Sequence, residues 1–300
     1  MKPTDILLAL ATVAIWGFNF VVIKIGLQDL PPILFTTLRF LFAALPLVFF
    51  VKRPAVPFKL LAGYAMFQFA LQFTLLFSGM KLGLPPGLAS LVVQLQAFFT
   101  IGLAVLLLHE RPLATQMIGA LIAFSGMGLV ALHLEAQATA IGFVMVVAAG
   151  ACWAAANIFT KKIGTATADT GKINPMALVI WGSLLATPPL ALASLVIEGP
   201  SAWAQAAAQF GWMTAGAVFF QSYPNTILGF GIWSLLMRKY PTATIAPFTL
   251  LVPVTGMLSA ALVLGEPLQW WKIAAGLLVL AGLALNQFGA RLPLSATRLR

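Results

Sequence analysis

Two asparagines in matching places carry polar chemistry into apolar segments of this chain. Asn19 lies in IWGFNFVVIKIGL (residues 15–27), and Asn157 lies in a weaker copy, CWAAANIFTKKIG (residues 152–164). An amide can donate to a carboxylate and accept from an ammonium group. In hydrocarbon an amide is costly unless it faces protein or water. The duplication predicts one central polar site, suited to a zwitterion and built by two related helices. The alternative for each asparagine alone is a hydrogen bond that holds two helices together.

Aromatic residues near the amides are candidates for the walls of this site. At helical spacing Trp16, Asn19 and Phe20 share one face of a helix. Trp153 and Trp181 are the candidates in the second half of the chain. Such a wall would bind apolar side chains and stack on an ammonium group. The alternative for a membrane tryptophan is the interfacial belt, which fits Trp16 and Trp153 less well because they lie deeper in their segments.

Glutamines add further amides to the predicted site. Gln68 and Gln72 are one helical turn apart and share a face. Gln94 and Gln96 are two residues apart, so in a regular helix they cannot both face the site. We predict that Gln94 faces it, because its i+4 neighbour is Phe98, a further candidate for the aromatic wall. Hydrogen bonding between helices is again the alternative for these glutamines.

Four charged residues at or near the predicted spans have open roles. Lys24 and Arg39 lie near the outer ends of their spans, where long side chains reach the interface. Attraction of a substrate is the alternative for both, and Asp29 is near enough in sequence to pair with either. Glu110 and Glu266 end two repeat-related spans. For these acids we favour a contact that fixes the helix end, with proton coupling as the alternative.

Two prolines are predicted hinges. Pro224 and Pro253 lie inside predicted spans, and each lacks an N–H and leaves a carbonyl free in the preceding turn. In lipid such a carbonyl must face protein or water. Ser222 and Asn225 flank Pro224 and could complete a polar patch there.

The composition requires an integral membrane protein. The chain has 300 residues, of which 61% are hydrophobic and 8% are charged, and apolar runs of about 20 residues recur along it. The runs lack the period-two alternation of a β-barrel. We predict an all-α protein with ten transmembrane helices, at residues 5–27, 32–51, 60–80, 87–108, 113–132, 140–161, 174–197, 210–237, 242–264 and 268–288.

The placement of cations predicts the orientation. Of the 17 lysines and arginines, thirteen lie on one side of the ten-span arrangement and two on the other. The cytoplasmic side carries the excess, so both termini are predicted to be cytoplasmic. The thirteen are Lys2, Lys52, Arg53, Lys59, Arg111, Lys161, Lys162, Lys172, Arg238, Lys239, Arg291, Arg298 and Arg300. Because the net charge of +10 is spread over short loops, it does not predict a nucleic-acid partner.

The two halves of the chain resemble each other. Residues 85–113 can be laid on residues 241–268, with Glu110 on Glu266, and each acid precedes a Pro-Leu pair. Each copy has five spans, an odd number, so consecutive copies enter the membrane from opposite sides. We predict a 5+5 inverted repeat, with one repeat at 1–135, the other at 136–300, and both in one transmembrane unit.

The sequence resembles the ten-helix EamA-type members of the drug/metabolite transporter superfamily over nearly its whole length. Parts of it are similar to exporters of cysteine and O-acetylserine, and less closely to exporters of aromatic amino acids. The motifs that carry the family resemblance are WGFNFVVIKIGL, LRF (38–40), GLASLVVQLQAFFT, HERPL and LLVPVTGMLSAALVLGEPL, and those of the subgroup are QLQAFF, NIFTKKI and VIWGSL.

The resemblance implies a secondary transporter of the bacterial inner membrane that exports amino acids and their metabolites by alternating access, as facilitated diffusion or exchange. Proton-coupled efflux of a drug or another small metabolite is the alternative. The expected partners are a small-molecule substrate and the lipid bilayer, and the oligomeric state stays open, a monomer included. No enzyme motif, metal site or cofactor site is expected, since the chain has no HExxH and no phosphate loop.

Overall fold

A computed structural model describes residues 1–133, 139–167 and 174–289. The regular elements of the described chain are all helices, with no β-strand among those residues. Two predictions concern residues outside the described ranges: the boundary between the repeats at 135/136, and four of the thirteen cations, Lys172, Arg291, Arg298 and Arg300.

Ten helical segments occupy the places of the ten predicted spans. Nine described helices are long and apolar enough to cross a membrane. The remaining segment, at 212–239, is a continuous helix with the polar stretch QSYPNTIL at its centre. The segments are α1 (Pro3–Asp29), α2 (Pro32–Ala44), α3 (Phe58–Lys81), α4 (Pro86–Leu108), α5 (Ala114–Leu132), α6 (Ala140–Ala166), α7 (Pro175–Ile197), α8 (212–239), α9 (242–264) and α10 (Trp270–Phe288). The prediction of an all-α membrane protein is confirmed.

Proline marks several helix boundaries. It occupies the first turn of α1, α2, α4 and α7, where the missing N–H costs nothing because that donor has no partner within the helix. The α2 helix ends at Ala44, earlier than predicted, and a 3₁₀ turn, Leu47–Phe49, follows. Pro46 explains the early end, because its ring disfavours helix in the residue before it and it has no N–H to donate.

Irregular helical segments recur at matching places in the two halves. Met66–Leu71 in α3 and Gln221–Leu228 in α8 are π-helical. Val93–Leu95 in α4 and Ala246–Leu250 in α9 are 3₁₀-helical. Such interruptions are frequent at functional sites. Each of the four segments supplies at least one residue to the central cavity described below. The two halves therefore share the same backbone irregularities where they line the cavity.

The helices pack in pairs related by the repeat. The α1 helix packs on α8 and α9, and its counterpart α6 packs on α3 and α4. The α2 helix packs on its counterpart α7, and α5 packs on its counterpart α10. This is the arrangement that a two-fold relation between inverted halves produces.

The α5 and α10 helices approach each other through glycine. A Cβ added at Gly119 would lie 2.6 Å from the carbonyl oxygen of Gly282, and one added at Gly282 would lie 2.4 Å from that of Gly119. Only glycine permits this separation of the two backbones. This close packing joins the two halves away from the cavity.

Candidate functional site

A cavity of about 250 Å³ lies between the two halves. Helices α1 to α4 of the first half and α6, α8 and α9 of the second half supply its wall. Seven of the ten residues predicted for the site lie in that wall: Trp16, Asn19, Phe20, Gln68, Gln72, Gln94 and Trp153. The wall therefore combines amides with aromatic rings, as the sequence predicts.

The remaining three predicted residues lie elsewhere. Phe98 is buried against α5, with its ring centroid 6.2 Å from that of Phe124. The Asn157 Nδ2 donates to Gln96 Oε1 and Thr100 Oγ1, both at 3.0 Å, and so joins α6 to α4. The indole of Trp181 donates to the carbonyl of Val51 at 2.9 Å, beyond the end of α2. For Asn157 the structure favours the alternative of a hydrogen bond between helices.

Trp16 is held in place by α8. Its indole N–H donates to the carbonyl of Asn225 at 3.2 Å, and its ring lies 5.5 Å from Phe230 and 5.2 Å from Trp233. All four residues line the cavity. An aromatic cluster between α1 and α8 thus forms one wall. Of its three rings, the sequence analysis predicted only Trp16, because Phe230 and Trp233 lie on a different helix.

Both glutamines of the QLQ sequence line the cavity, so the exclusion of Gln96 was wrong. The chain leaves the α-helical path at Val93–Leu95, and a 3₁₀ turn has a different angular step from an α-helix. Gln94 and Gln96 consequently reach the same space. Across the cavity, Gln68 Nε2 donates to Gln72 Oε1 at 3.1 Å within α3.

Arg39 does not snorkel to the interface. Its side chain is 1% exposed and lines the cavity. Nε and Nη2 donate to Thr226 Oγ1 at 3.3 and 3.1 Å, and Nη1 donates to Gln221 Oε1 at 2.7 Å. Its guanidinium carbon lies 4.0 Å from the centroid of Phe73. The expectation of snorkelling was therefore wrong, and a cation stands in the wall of the cavity.

The π-segment of α8 creates the seat for Arg39. Gln221 and Thr226 are five residues apart, which in an α-helix would turn them away from each other. In a π-helix, where hydrogen bonds run from i to i+5, such residues lie on nearly the same side. The Thr226 hydroxyl donates to the Gln221 carbonyl at 2.7 Å, so it is oriented to accept from the guanidinium.

The two predicted hinge prolines lie at helix irregularities. Pro224 is inside the π-segment of α8, on the wall of an apolar groove beside α7 rather than on the central cavity. Pro253 is in the first turn of the regular part of α9, Leu251–Leu264, directly after a 3₁₀ stretch. The prolines thus coincide with the places where the helices change type, and motion about them stays a prediction.

One end of the cavity is tightly packed. The start of α4 contacts the second part of α9: Glu266 Oε2 accepts from the N–H of Gly87 at 3.3 Å, and a Cβ added at Gly256 would lie 2.6 Å from Ser90. Gly17 of α1 lies against the same part of α9, where an added Cβ would lie 2.7 Å from the Gly256 nitrogen. Helices α1, α4 and α9 close this end.

The repeat-related end is packed less tightly. The second part of α4 and the first part of α9 do not form an extensive contact there among the described residues, and Leu106 and Leu107 of α4 are exposed. Glu110, the counterpart of Glu266, instead forms an ion pair with Lys161. The two halves therefore have the same order of helices but differ in how their repeat-related helix ends pack.

The two acids share one local geometry. Glu110 follows a left-handed residue, His109 (φ 55°), and Glu266 follows Gly265 (φ 67°). The N–H of each acid donates back to a helix carbonyl, of Ala104 and Ala260 respectively. Asp29 accepts from Thr214 at 2.5 Å, and the ion pairs in the described chain are Glu110–Lys161 and Asp5–Lys239. The pairing of Asp29 with Lys24 or Arg39 that the sequence allows is therefore not found among the described residues.

The EamA-like transporter family model matches residues 4–132 and again residues 140–288. The chain belongs to this family. The two matches cover the two groups of five helices, α1–α5 and α6–α10. Since this is a family of transporters and the chain is a helical membrane protein, the EamA-like protein is a membrane transporter.

Curated relatives of this EamA-like protein match it over nearly its full length. A protein of Salmonella typhimurium (strain LT2), named "Probable amino-acid metabolite efflux pump", is 43% identical over 97% of both chains. One of Escherichia coli (strain K12) with the same name is 41% identical over the same shares. A solved crystal structure matches with a TM-score of 0.64 at 18% identity, over 97% of this chain and 98% of its own, which shows a shared fold.

Proposed function

We propose that this EamA-like transporter exports amino acids and related metabolites from the cytoplasm by alternating access, as facilitated diffusion or exchange. The observation that carries the proposal is the cavity between the two family-model halves, walled by amides, aromatic rings and one guanidinium. The names of the two relatives support the class of cargo.

The chemistry of the wall suits a small neutral amino acid. Amides such as Asn19 and Gln94 can donate to one end of a zwitterion and accept from the other. Rings such as Trp16 and Trp153 would surround an apolar side chain. One methylene in such a pocket is worth only about 1–3 kcal/mol, so several amino acids should be accepted, from threonine-sized to aromatic.

The unequal packing of the two ends supports alternating access. If the orientation predicted from the cations holds, the tight end with Glu266 faces outward and the looser end with Glu110 faces the cytoplasm. The structure then corresponds to a form loaded from the cytoplasm. Exchange of conformation between the two inverted halves would give the outward-open form.

The absence of an acid in the wall favours transport without proton coupling. Among the described residues no aspartate or glutamate lines the cavity, and no three histidine, cysteine or acidic residues group together there as a metal site. Net flux would then follow the gradient of the cargo. The location we propose is the bacterial inner membrane with both termini in the cytoplasm, and the oligomeric state stays open.

Release of amino acids from loaded cells tests the export direction. Bacteria fed dipeptides of leucine, threonine and phenylalanine accumulate these amino acids in the cytoplasm. Expression of the transporter should raise the rate at which all three appear in the medium. Arg238→Gln, an exposed position at the end of α8, is the control variant and should match the wild type. Equal release with and without expression, for all three amino acids, would refute the proposal.

A further inference from the structure

Arg39 is a charge without an opposite charge. The cavity wall contains one formally charged side chain among the described residues, and it is this guanidinium. The ion pairs of the described chain, Glu110–Lys161 and Asp5–Lys239, do not involve it. A buried cation is normally paired, because removal of a charge from water is costly.

Neutral groups hold the guanidinium and leave part of it free. The Thr226 hydroxyl and the Gln221 amide oxygen together accept three hydrogen bonds from its N–H groups, and the ring of Phe73 covers one face. A guanidinium has five N–H donors. Two of them have no protein acceptor among the described residues, and a carboxylate is the ligand whose two oxygens match such donors best.

Two residues of the cavity wall carry a buried amide oxygen that has no hydrogen bond in the described protein. Oδ1 of Asn19 and Oδ1 of Asn225 have no donor within the described protein, although their side chains are 5% and 3% exposed. Both residues line the cavity. A buried acceptor without a partner is destabilising, so an N–H group of a ligand that reached either oxygen would relieve that cost.

We propose that Arg39 binds the carboxylate of the cargo and that the oxygens of Asn19 and Asn225 accept from its ammonium group. The inference rests on the proposed function and narrows it to cargo with a free carboxylate. The carboxylate is recognised by charge and the amine by neutral acceptors. Loss of the carboxylate should therefore matter more than loss of the amine, and a decarboxylated amine would bring a second cation to Arg39.

The alternative role of Arg39 is structural. Its contacts also join α2 to α8, and a purely structural arginine would not distinguish an acid from its amide. Changes to the ligand separate the two roles, because they leave the protein intact. The probes are L-leucine, L-leucinamide, which lacks the carboxylate, and 4-methylpentanoate, which lacks the amine.

Dissociation constants of the purified full-length transporter for these probes provide the test. The wild type should bind leucine at least about tenfold more tightly than leucinamide, the range of a charge-assisted hydrogen bond. Arg39→Gln should reduce that ratio to about twofold or less, and Arg39→Lys should keep part of it. Arg238→Gln, which removes an exposed cation outside the cavity, should leave the ratio unchanged.

The amine side has its own variant. Asn19→Ala should raise the dissociation constant of leucine several-fold and leave that of 4-methylpentanoate unchanged. This test does not depend on whether the Arg39 variants fold. Equal binding of leucine and leucinamide to the wild type would overturn the role of Arg39 while the proposed function stands. No binding of leucine at all would overturn the proposed function itself.

Discussion

At the scale of single residues, the repeat-related asparagines have different tasks. The Asn157 amide makes two hydrogen bonds between α6 and α4, whereas Asn19 lines the cavity and its amide oxygen is buried without a partner. Inverted repeats in one conformation place equivalent residues in unequal surroundings. Duplication in sequence therefore indicates a shared ancestry of the two helices, and it does not fix the same contact for both.

This difference predicts opposite effects of two matched substitutions. Asn157→Ala should lower the stability of the protein by about 1–3 kcal/mol, because two hydrogen bonds of roughly 0.5–1.5 kcal/mol each are lost. Asn19→Ala should leave stability nearly unchanged and reduce leucine counterflow. Thermal unfolding in detergent and counterflow in liposomes measure the two effects. A larger loss of stability for Asn19→Ala than for Asn157→Ala would contradict these assignments.

Trp181 provides a second residue-scale prediction. Its indole N–H donates to the Val51 carbonyl away from the cavity, so Trp181→Phe removes one hydrogen bond and keeps most of the ring. We expect a loss of about 0.5–1.5 kcal/mol of stability and an unchanged ranking of amino acids in competition assays. A changed ranking would place Trp181 in the cargo site after all.

Sequence reasoning found the residues whose positions follow from regular helix geometry. Trp16, Asn19 and Phe20 share an α-helical face, and so do Gln68 and Gln72, and all five line the cavity. Arg39 was misjudged although the sequence held the signal. It lies seven residues after Pro32, about 10 Å along the helix, which is far for a side chain to reach the interface.

At the scale of helices, the missed residues follow irregular backbone. Gln96 reaches the cavity because a 3₁₀ stretch precedes it, and Asn225 lies within a π-segment. Helical periodicity at 3.6 residues per turn cannot locate such side chains. The ten spans themselves follow from apolar length, which depends on composition and not on local geometry, and they were predictable to within several residues apart from the early end of α2.

The packed end of the cavity predicts a steric effect at Gly256. Its added Cβ would lie 2.6 Å from Ser90, so Gly256→Ala should push α9 from α4 and cost about 1–3 kcal/mol, as overpacking does. Gly102 of α4, with nothing within 4 Å of an added Cβ, is the matched control, and Gly102→Ala should be neutral or stabilising. Thermal unfolding compares them, and equal stability of the two variants would contradict tight closure.

Glu266 should make this closure depend on pH. The residue lies between α9 and α10, and burial raises the pKa of its carboxyl above the ordinary value. When the end opens to water the pKa returns toward that value. The protonated acid therefore favours the packed end, and a rise in pH through the raised pKa favours opening.

Thiol labelling of purified protein in detergent measures that opening. In a Cys152→Ala background, Ser90→Cys places a thiol in the packed end, and Leu107→Cys places one at an exposed position. The labelling rate at position 90, divided by the rate at position 107, should increase as the pH is raised from about 5 to about 8. When Glu266→Gln is added, this ratio should stay low and constant. A ratio that rises equally with the glutamine present would rule out Glu266 as the cause.

At the scale of the whole molecule, two five-helix halves enclose one site. The family model matches each half separately, the α5–α10 contact joins them, and the cavity lies where they face each other. The absence of an acid from the described wall predicts that a pH gradient alone does not drive accumulation. In liposomes with an imposed gradient, leucine should equilibrate without exceeding the outside concentration, and concentrative uptake would favour proton coupling.

The central claim is that the cavity carries amino acids, and counterflow with the purified protein in liposomes tests it most directly. Liposomes loaded with unlabelled leucine should take up labelled leucine transiently above equilibrium, and threonine or phenylalanine should compete. Sugar phosphates should not compete, because the described part of the wall has a single cation. Absence of counterflow for every neutral amino acid, or competition by sugar phosphates alone, would contradict the account.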